Sequence, residues 1–416
     1  MGDAGFDYDA VIVGARVAGA SLGLLLAKQG RRVLVLDRDG FPSDTLSTHF
    51  TSPLVVHMFR RLGVLEDILA AGFRPITRHR TTIEDCVFEG PAAPGGGFSL
   101  TPRRDVLDAT LIEHARAAGA EISSRTTVER LIEEDEAVRG VVAVSKSGER
   151  REVRARVVIG ADGKTSKLAQ WVGAETYREQ PPLRPLYYGY YNGVVPLPEP
   201  TLELFFGGGR LGFLFPMRPG EDCLALELRP GEFEQFRTDP QAHFERCYAE
   251  LPGMKPRLAG AQLEGKLLGT MGVANFFRVP YGPGWALTGD AAYLKDPSTG
   301  LGIGDALTQS FMLAEALGSW LDGAEWELTM AEYHRRRDTA LLPFYELTLE
   351  HTQSPDMPPD ALAALRAALV SPVTMRLLAS ALPGNLSALL PAHSLSGVTA
   401  LARMFGETAA APVAAS

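Results

Sequence analysis

The turn Gly14-Ala-Arg-Val-Ala-Gly19 constrains this chain more than any other stretch of its 416 residues. Before it, Tyr8-Asp-Ala-Val-Ile-Val13 is a β-branched run that reads as a buried strand. After it, Arg16 to Gln29 carries apolar residues at helical spacing until Gly30 stops them. Arg32-Val-Leu-Val-Leu-Asp37 is then a second apolar strand. Strand, tight turn, helix and strand in about 30 residues make a βαβ unit and require a parallel sheet. Where the strand stops and the helix starts, free N–H groups and the positive end of the helix dipole converge on one spot. That is an anion site suited to a pyrophosphate. Gly14 permits the turn, and Gly19 lets the helix lie against the strand. The middle glycine of this fingerprint is replaced by Arg16, and a lysine-bearing phosphate loop fails because Ala20 stands at the lysine position. A cation at a helix N-terminus is unfavourable without an anion, so Arg16 is expected to offset pyrophosphate charge. Asp37 ends the second strand about 20 residues on. An acid there can accept from a ribose 2′-OH, which favours FAD or NAD.

Two more stretches repeat the pattern of a buried strand running into Gly and Asp: Val157-Val-Ile-Gly160-Ala-Asp162-Gly163, and Trp285-Ala-Leu-Thr-Gly289-Asp290. The second continues into Pro297-Ser-Thr-Gly300-Leu-Gly302-Ile-Gly304 ahead of a helix, another N–H-rich site. The chain holds 43 glycines, more than the usual share of roughly 7%, and several of them gather at such strand ends. Between these landmarks, Pro53 to Gly72 and Arg104 to Gly119 have helical periodicity, and Glu121 to Val144 reads as strands. From about Pro181 to Gly269 the texture changes to aromatic strand-like runs, as in Leu186-Tyr-Tyr-Gly-Tyr-Tyr191 and Leu211-Gly-Phe-Leu-Phe215, and implies a mostly antiparallel sheet. Beyond Leu301 the chain reads as helical to Leu382, and Glu407 to Ser416 as a frayed tail.

Other classes are disfavoured. A net charge of −9 argues against nucleic-acid binding. The three cysteines, Cys86, Cys223 and Cys247, have neither disulfide nor metal-ligand spacing. The first ten residues carry no basic group, and no long apolar run follows, so neither a secretory signal nor a membrane span is expected and the location is taken as cytoplasmic. The 34 arginines against 7 lysines suggest a GC-rich bacterial genome.

The three glycine-marked stretches, in this order and at these separations, resemble the para-hydroxybenzoate hydroxylase-like FAD-dependent monooxygenases over roughly residues 8 to 345. The resemblance implies an α/β fold. A Rossmann-like FAD-binding domain (residues 1–75, 98–180 and 270–350) would interleave with a mostly antiparallel β substrate domain (76–97 and 181–269), and 351–416 would be a C-terminal helical segment. Gly14, Ala15, Arg16 and Gly19 would lie on the FAD pyrophosphate, with Asp37 and Arg38 at the adenosine ribose. Arg104 would reach the phosphate and ribityl region, and the backbone of Val128 would touch adenine. Asp162 and Gly163 match the family's Asp-Gly motif, and Gly289 and Asp290 the site of the ribityl chain. Pro297, Gly300, Leu301 and Gly302 match the loop beside the flavin ring. Three positions depart from the pattern. Ala169 stands for an arginine after the Asp-Gly motif, Gly304 for an asparagine, and Ser43-Asp-Thr-Leu-Ser-Thr-His49 for a segment with an arginine near the flavin.

The implied activity is hydroxylation of a small aromatic or polycyclic substrate, in a setting such as secondary metabolism. FAD would be reduced by the co-substrate NAD(P)H and react with O2 to a C4a-hydroperoxide. No metal is required, and the protein would be a monomer or homodimer. Ser47, Thr48 and His49 are expected on the flavin or substrate side, with His49 and Pro297 the catalytic candidates; a hydrogen-bonded structural histidine is the alternative for His49. Tyr190, Phe213 and Phe215 are candidates for a substrate wall, though alternation puts half of such aromatics in the core. Arg78-His-Arg80 and His334-Arg-Arg-Arg337 read as surface. A geranylgeranyl reductase-like enzyme, which saturates prenyl double bonds, is the second reading. A flavin-dependent halogenase fits less well: there is no Trp-x-Trp-x-Ile, and no lysine lies between Lys28 and Lys146. A non-catalytic flavin-binding protein is the third class.

Overall fold

The computed structural model describes residues 5–369 apart from 94–95, 354–355 and 357. The expected Glu407 to Ser416 tail, and most of the expected 351–416 segment, lie outside these residues. In chain order the elements are β1 (Tyr8–Val13), α1 (Val17–Lys28), β2 (Val33–Asp37), α2 (Pro53–Leu62), α3 (Leu65–Ala70), β3 (Arg78–Ile83), β4 (Cys86–Pro91), α4 (Arg104–Ala117), β5 (Glu121–Ser124), β6 (Thr126–Glu134), β7 (Ala137–Ser145) and β8 (Arg150–Gly160). They continue with α5 (Lys167–Trp171), β9 (Thr176–Gln180), β10 (Leu186–Asn192), β11 (Thr201–Gly207), β12 (Arg210–Arg218), β13 (Glu221–Glu227), α6 (Phe233–Phe236), α7 (Pro240–Glu250), α8 (Met254–Arg257) and β14 (Gln262–Thr270). The chain then forms β15 (Asn275–Arg278), β16 (Tyr281–Gly282), β17 (Trp285–Leu287), β18 (Tyr293–Leu294), α9 (Gly302–Leu321), α10 (Trp326–Gln353) and α11 (Pro359–Leu369).

The first sheet runs β16-β17-β8-β1-β2-β5, with β7 added on β8 and β6 on β7. Its centre is parallel, as the βαβ pattern requires. The strands alternate between two cores. Ala10, Ile12, Val33, Val35, Val157 and Ile159 pack toward the helical layer of α1, α4 and α9. Val11, Leu34, Leu36 and Val158 pack on Val128, Leu131 and Val141 of the β6–β7 hairpin. Both faces are covered, which is why these strands read as unbroken apolar runs rather than alternating ones. Each fully buried Ile or Val here contributes about 1.5–3 kcal/mol. Gly19 and Gly23 let α1 settle on the sheet: a Cβ on Gly23 would come 2.9 Å from Val35 Cγ2.

The second sheet runs β14-β10-β13-β12-β11-β3-β4, all antiparallel except β11 with β3. Alternation sorts its aromatics, as period-2 geometry demands. Tyr188, Tyr190, Phe213 and Phe215 share the face that joins the first core, together with Phe50. Tyr187, Tyr191 and Phe205 point the other way, onto Phe244, Tyr248 and Met254 of α7 and α8. Helices α6 to α8 were not foreseen within the antiparallel stretch; Pro240 at the first position of α7, capped by Asp239, is the signal that was present. A third sheet, β18-β15-β9, is small. The expected helical stretch from Pro53 to Gly72 is two helices. Gly63, at φ 87°, ends α2 with its N–H on the Phe59 and Arg60 carbonyls, and α3 restarts at Leu65.

Candidate active site

Strand register brings the scattered glycine motifs to one edge. Val13 lies opposite both Leu36 and Gly160, and Gly160 lies opposite Leu287. The ladder runs one step further through Gly14 N–H to Leu36 O, Ala161 N–H to Val13 O and Thr288 N–H to Gly160 O. Gly14, Asp37, Asp162 and Asp290 therefore all leave the carboxyl ends of parallel strands, where open α/β sheets bind ligands. Gly14 sits at φ 106°, and a Cβ there would fall 2.3 Å from Ala161 O. A Cβ on Gly19 would fall 1.8 Å from Gly14 O. These two positions admit glycine only.

Asp37 is buried and accepts from Ala15 N–H at 2.6 Å and Asp39 N–H at 2.8 Å, so its carboxylate is fixed at the turn. Burial pushes its carboxyl up, and these N–H donors pull it back. Arg38 is exposed beside it. Val128 buries its side chain among Leu34 and Leu36, leaving only its backbone for a ligand. Asp162 accepts from Ser166 Oγ at 2.5 Å and Lys167 N–H at 2.7 Å, so it anchors the start of α5 as well as the Gly163 turn.

Arg16 differs from its sequence reading. Its guanidinium reaches Asp108 Oδ2 at 3.0 Å and Asp39 Oδ2 at 3.2 Å. The acids that balance it belong to the protein, so the cation at the helix N-terminus is not by itself a sign of an external anion. Arg104 reaches the same fully buried Asp108 through three contacts of 3.1–3.2 Å. Two arginines thus share one carboxylate, and with Asp39 on Arg16 the group next to the glycine turn carries no net charge. Asp108 lies one turn after Arg104 on α4 and had no motif to announce it.

The loop after β17 holds the remaining candidates. Gly289 is at φ 59°, with Ala18 2.7 Å from where a Cβ would lie. Asp290 is exposed at this edge, and among the described residues its carboxylate has no hydrogen-bond donor; Arg104 and Lys295 are favourable charges that act on it. Pro297–Thr299 forms a single 3-10 turn ended by Gly300 at φ 67°, and Leu301 is the N-cap of α9. A Cβ on Gly302 would meet nothing within 4 Å. An open backbone cradle and a carboxylate without a donor fit the hydroxyl-rich, carbonyl-bearing middle of FAD. Lys295 and Asp305 form a buried ion pair across this loop.

A second cluster joins this edge to the second sheet. His49 is fully buried and sits at φ 59°. Its Nδ1 is 3.3 Å from Pro102 O and its Nε2 is 3.1 Å from Tyr190 Oη. A carbonyl only accepts, so Nδ1 carries the proton and Nε2 accepts. Tyr190 Oη is also 3.0 Å from Asp44 Oδ2. One hydroxyl proton therefore serves two acceptors. Burial first, then Arg104 and Arg103, hold the imidazole down at about 4, so it is neutral at neutral pH. Burial also raises the Tyr190 phenol, which stays protonated, with the Arg103 guanidinium 3.9 Å above its ring. Tyr188 donates to Thr45 O at 3.2 Å. Tyr190, Phe213 and Phe215 lie on one face of the second sheet, all buried in the core shared with the first sheet. Asp44, Arg103 and Pro102 were missed, because nothing local in the sequence links 44, 49, 103 and 190. His334, by contrast, bonds Tyr177 Oη at 2.8 Å on α10, away from the cluster.

Among the described residues no helix is long and apolar enough to cross a membrane, and no group of three or more His, Cys, Asp or Glu could hold a metal ion.

Known proteins similar to this chain bind or use flavin nucleotides by their family description. A family model described as an FAD binding domain matches residues 7–341. The chain is 25% identical over 346 residues to a digeranylgeranylglycerophospholipid reductase of Methanosarcina acetivorans, covering 79% of this chain and 80% of that protein. It is also 25% identical over 361 residues to an aklavinone 12-hydroxylase of Streptomyces peucetius subsp. caesius, covering 79% and 71%. The fold is shared with a solved flavin-dependent brominase at TM-score 0.75 and 20% identity, covering 97% of this chain and 99% of that one.

Proposed function

Because the chain belongs to the FAD binding domain family, and is an FAD-dependent oxidoreductase, we propose that it is an NAD(P)H-using monooxygenase that hydroxylates a small aromatic or polycyclic substrate. The observation that carries this choice is the Tyr190 hydroxyl, held between His49 Nε2 and Asp44 Oδ2 against an aromatic sheet face. In this reading residues 1–75, 98–180 and 270–350 hold FAD, and 76–97 with 181–269 bind substrate.

FAD, when bound, supplies the redox chemistry: it takes reducing equivalents from NAD(P)H and delivers them to O2. The chain's own residues do the rest. Gly14, Gly19 and the N–H groups opening α1 bind the pyrophosphate, with Arg104 and Arg16 alongside. Asp290 holds the ribityl hydroxyls, and the turn from Pro297 to Gly302 lines the ring. Tyr188, Phe213 and Phe215 give a planar substrate an apolar wall and keep water out. Tyr190 can take a proton from a substrate hydroxyl as it hands its own to Asp44, whose side chain is 31% exposed and leads to solvent, while His49, neutral and proton-free at Nε2, fixes the Tyr190 hydroxyl from the other side. Such a route suits a substrate hydroxyl that must lose a proton as its ring is attacked.

A prenyl reductase would need an apolar channel but no such relay. The missing lysine between Lys28 and Lys146 supports leaving the halogenases aside. The test follows NAD(P)H oxidation with a panel of phenols, polyketides and prenyl lipids, with and without O2, and analyses products by mass spectrometry. Substrate-stimulated turnover only in air, with one oxygen added to product, is expected. Equal turnover without O2 would remove the monooxygenase and favour the reductase.

A further inference from the structure

Below the Pro297–Gly300 turn lies a buried charge cluster that the proposed reaction does not use. Glu227 ends β13, Asp296 immediately precedes the turn, and Arg184 leads into β10. All three are 2% exposed or less. Arg184 Nε is 3.8 Å from Glu227 Oε2, while its terminal nitrogens serve the carbonyls of Gly209 and Thr352. Asp296 Oδ1 accepts from Ser298 N–H at 3.0 Å, and the Asp296 N–H is held by Asn275 Oδ1 at 2.6 Å. Both oxygens of Glu227 have no donor, Asp296 has only the backbone and hydroxyl of Ser298 beside it, and the two carboxyl groups lie in direct side-chain contact.

As two carboxylates and one guanidinium, the cluster would bury a net negative charge and set two carboxylates in contact with no donor between them. Neither persists in a folded interior. One proton removes the excess charge and supplies the donor between the two touching carboxyls. We infer that Glu227 and Asp296 share a single proton, with Arg184 balancing the remaining charge, and that Glu227 thereby acts as a positioning residue tying the second sheet to the Pro297–Gly300 turn. Placing the flavin ring at that turn rests on the proposed function; the shared proton does not.

The surrounding charges do not offer an alternative. Glu232 is engaged by Arg210 and Arg229. Asp356 accepts from Gly209 N–H, and Lys295 is taken by Asp305. Burial drives both carboxyls of the pair upward, and Arg184 opposes it. Loss of the proton would set two carboxylates against each other directly under the turn.

The experiment compares wild type, Glu227→Gln, Glu227→Leu and Asp296→Asn. Infrared spectra of the apoprotein at neutral pH should show the carbonyl stretch of a protonated carboxyl that both Glu227→Gln and Asp296→Asn remove. Amide exchange at Ser298 and Thr299, read by mass spectrometry, should rise about tenfold in Glu227→Leu and stay near wild type in Glu227→Gln, whose amide still donates to Asp296. On raising the pH, exchange there should accelerate in wild type beyond the rise that base catalysis imposes on every amide, and in Glu227→Gln by that common rise alone. Absence of the protonated-carboxyl band, or exchange that is the same in Glu227→Leu and wild type, overturns the inference. The visible spectrum of FAD-loaded protein gives an independent reading. If the apoprotein results hold but the flavin spectrum is identical in all four proteins, the shared proton stands and the ring does not lie at the turn.

Discussion

The glycine edge of the first sheet and the His49–Tyr190 cluster are built on opposite principles. At the edge, backbone does the work: Gly14, Gly19 and Gly289 are there because a Cβ would collide, and the groups offered to a ligand are N–H donors at the ends of strands. In the cluster, side chains do the work. A loop (Asp44, His49), the start of a helix (Pro102, Arg103) and a distant strand (Tyr190) meet around one phenolic proton. A backbone-built site follows from local geometry, so it tolerates almost no substitution at its glycines. A side-chain network follows from the tertiary fold, and each member can be exchanged at modest cost. Chemistry common to a family suits the first construction, and selection among substrates suits the second.

Four experiments can break or sharpen that contrast, the largest effect first. Gly19→Ala puts a methyl 1.8 Å from the Gly14 carbonyl, which no rotamer relieves. Its cost should exceed the roughly 1–3 kcal/mol usual for overpacking. FAD titration should show affinity lower by on the order of 100-fold, or no folded protein at all; a folded variant with unchanged affinity would refute the backbone construction. Asp108→Ala leaves Arg16 and Arg104 side by side without their carboxylate. Stability by urea unfolding should drop about 3–5 kcal/mol, as when one partner of a buried pair is removed. If FAD affinity survives that loss, the two arginines act on the fold rather than on the cofactor.

Acidification probes the cluster. The unfolded chain protonates His49 below its ordinary 6.5, and the folded chain only below about 4. The unfolded state binds the extra proton between those values, so stability is complete above 6.5 and falls as pH drops toward 4. The loss reaches about 3 kcal/mol, and His49→Asn should flatten that part of the profile by the same amount. Tyr190→Phe is the mildest change. It removes the hydroxyl shared by His49 and Asp44 and leaves the buried His49 Nε2 without a donor, a cost of about 1–3 kcal/mol that should not unfold the protein. Under the proposed function it should lower kcat/KM and change its pH dependence while leaving FAD binding intact. A variant with an unaltered pH–rate profile would make the hydroxyl structural.

What the sequence disclosed follows the same division. The parallel sheet, the strand–Gly–Asp stretches and Asp37 were legible because each is a local pattern with one stable backbone solution. Gly160 and Asp290 needed one more step, the parallel register, which topology rules provide. The ion pairs of Arg16 were not legible because its partners, Asp108 and Asp39, sit on separate elements. The split of Tyr187 and Tyr191 from Tyr188 and Tyr190 was expected from alternation, but which pair met His49 depended on which face the first domain covered. Asp44, Asp108, Glu227 and Asp296 carry no signature at all: an acid among 50 acquires meaning only from what the fold sets against it.

The parallel pairing of β3 with β11 also bears on how the chain assembles. Strands β3 and β4 are translated long before β10 to β14, yet they complete the same sheet. Until Thr201–Gly207 arrives, the Arg78–Ile83 edge has no partner on that side, and closing so wide a loop is entropically slow. The second sheet cannot be cut out as one contiguous piece. Residues 181–269 expressed alone would present β11 as an open apolar edge prone to self-association. The two halves of this enzyme are therefore expected to fold as one cooperative unit, and each to be insoluble without the other.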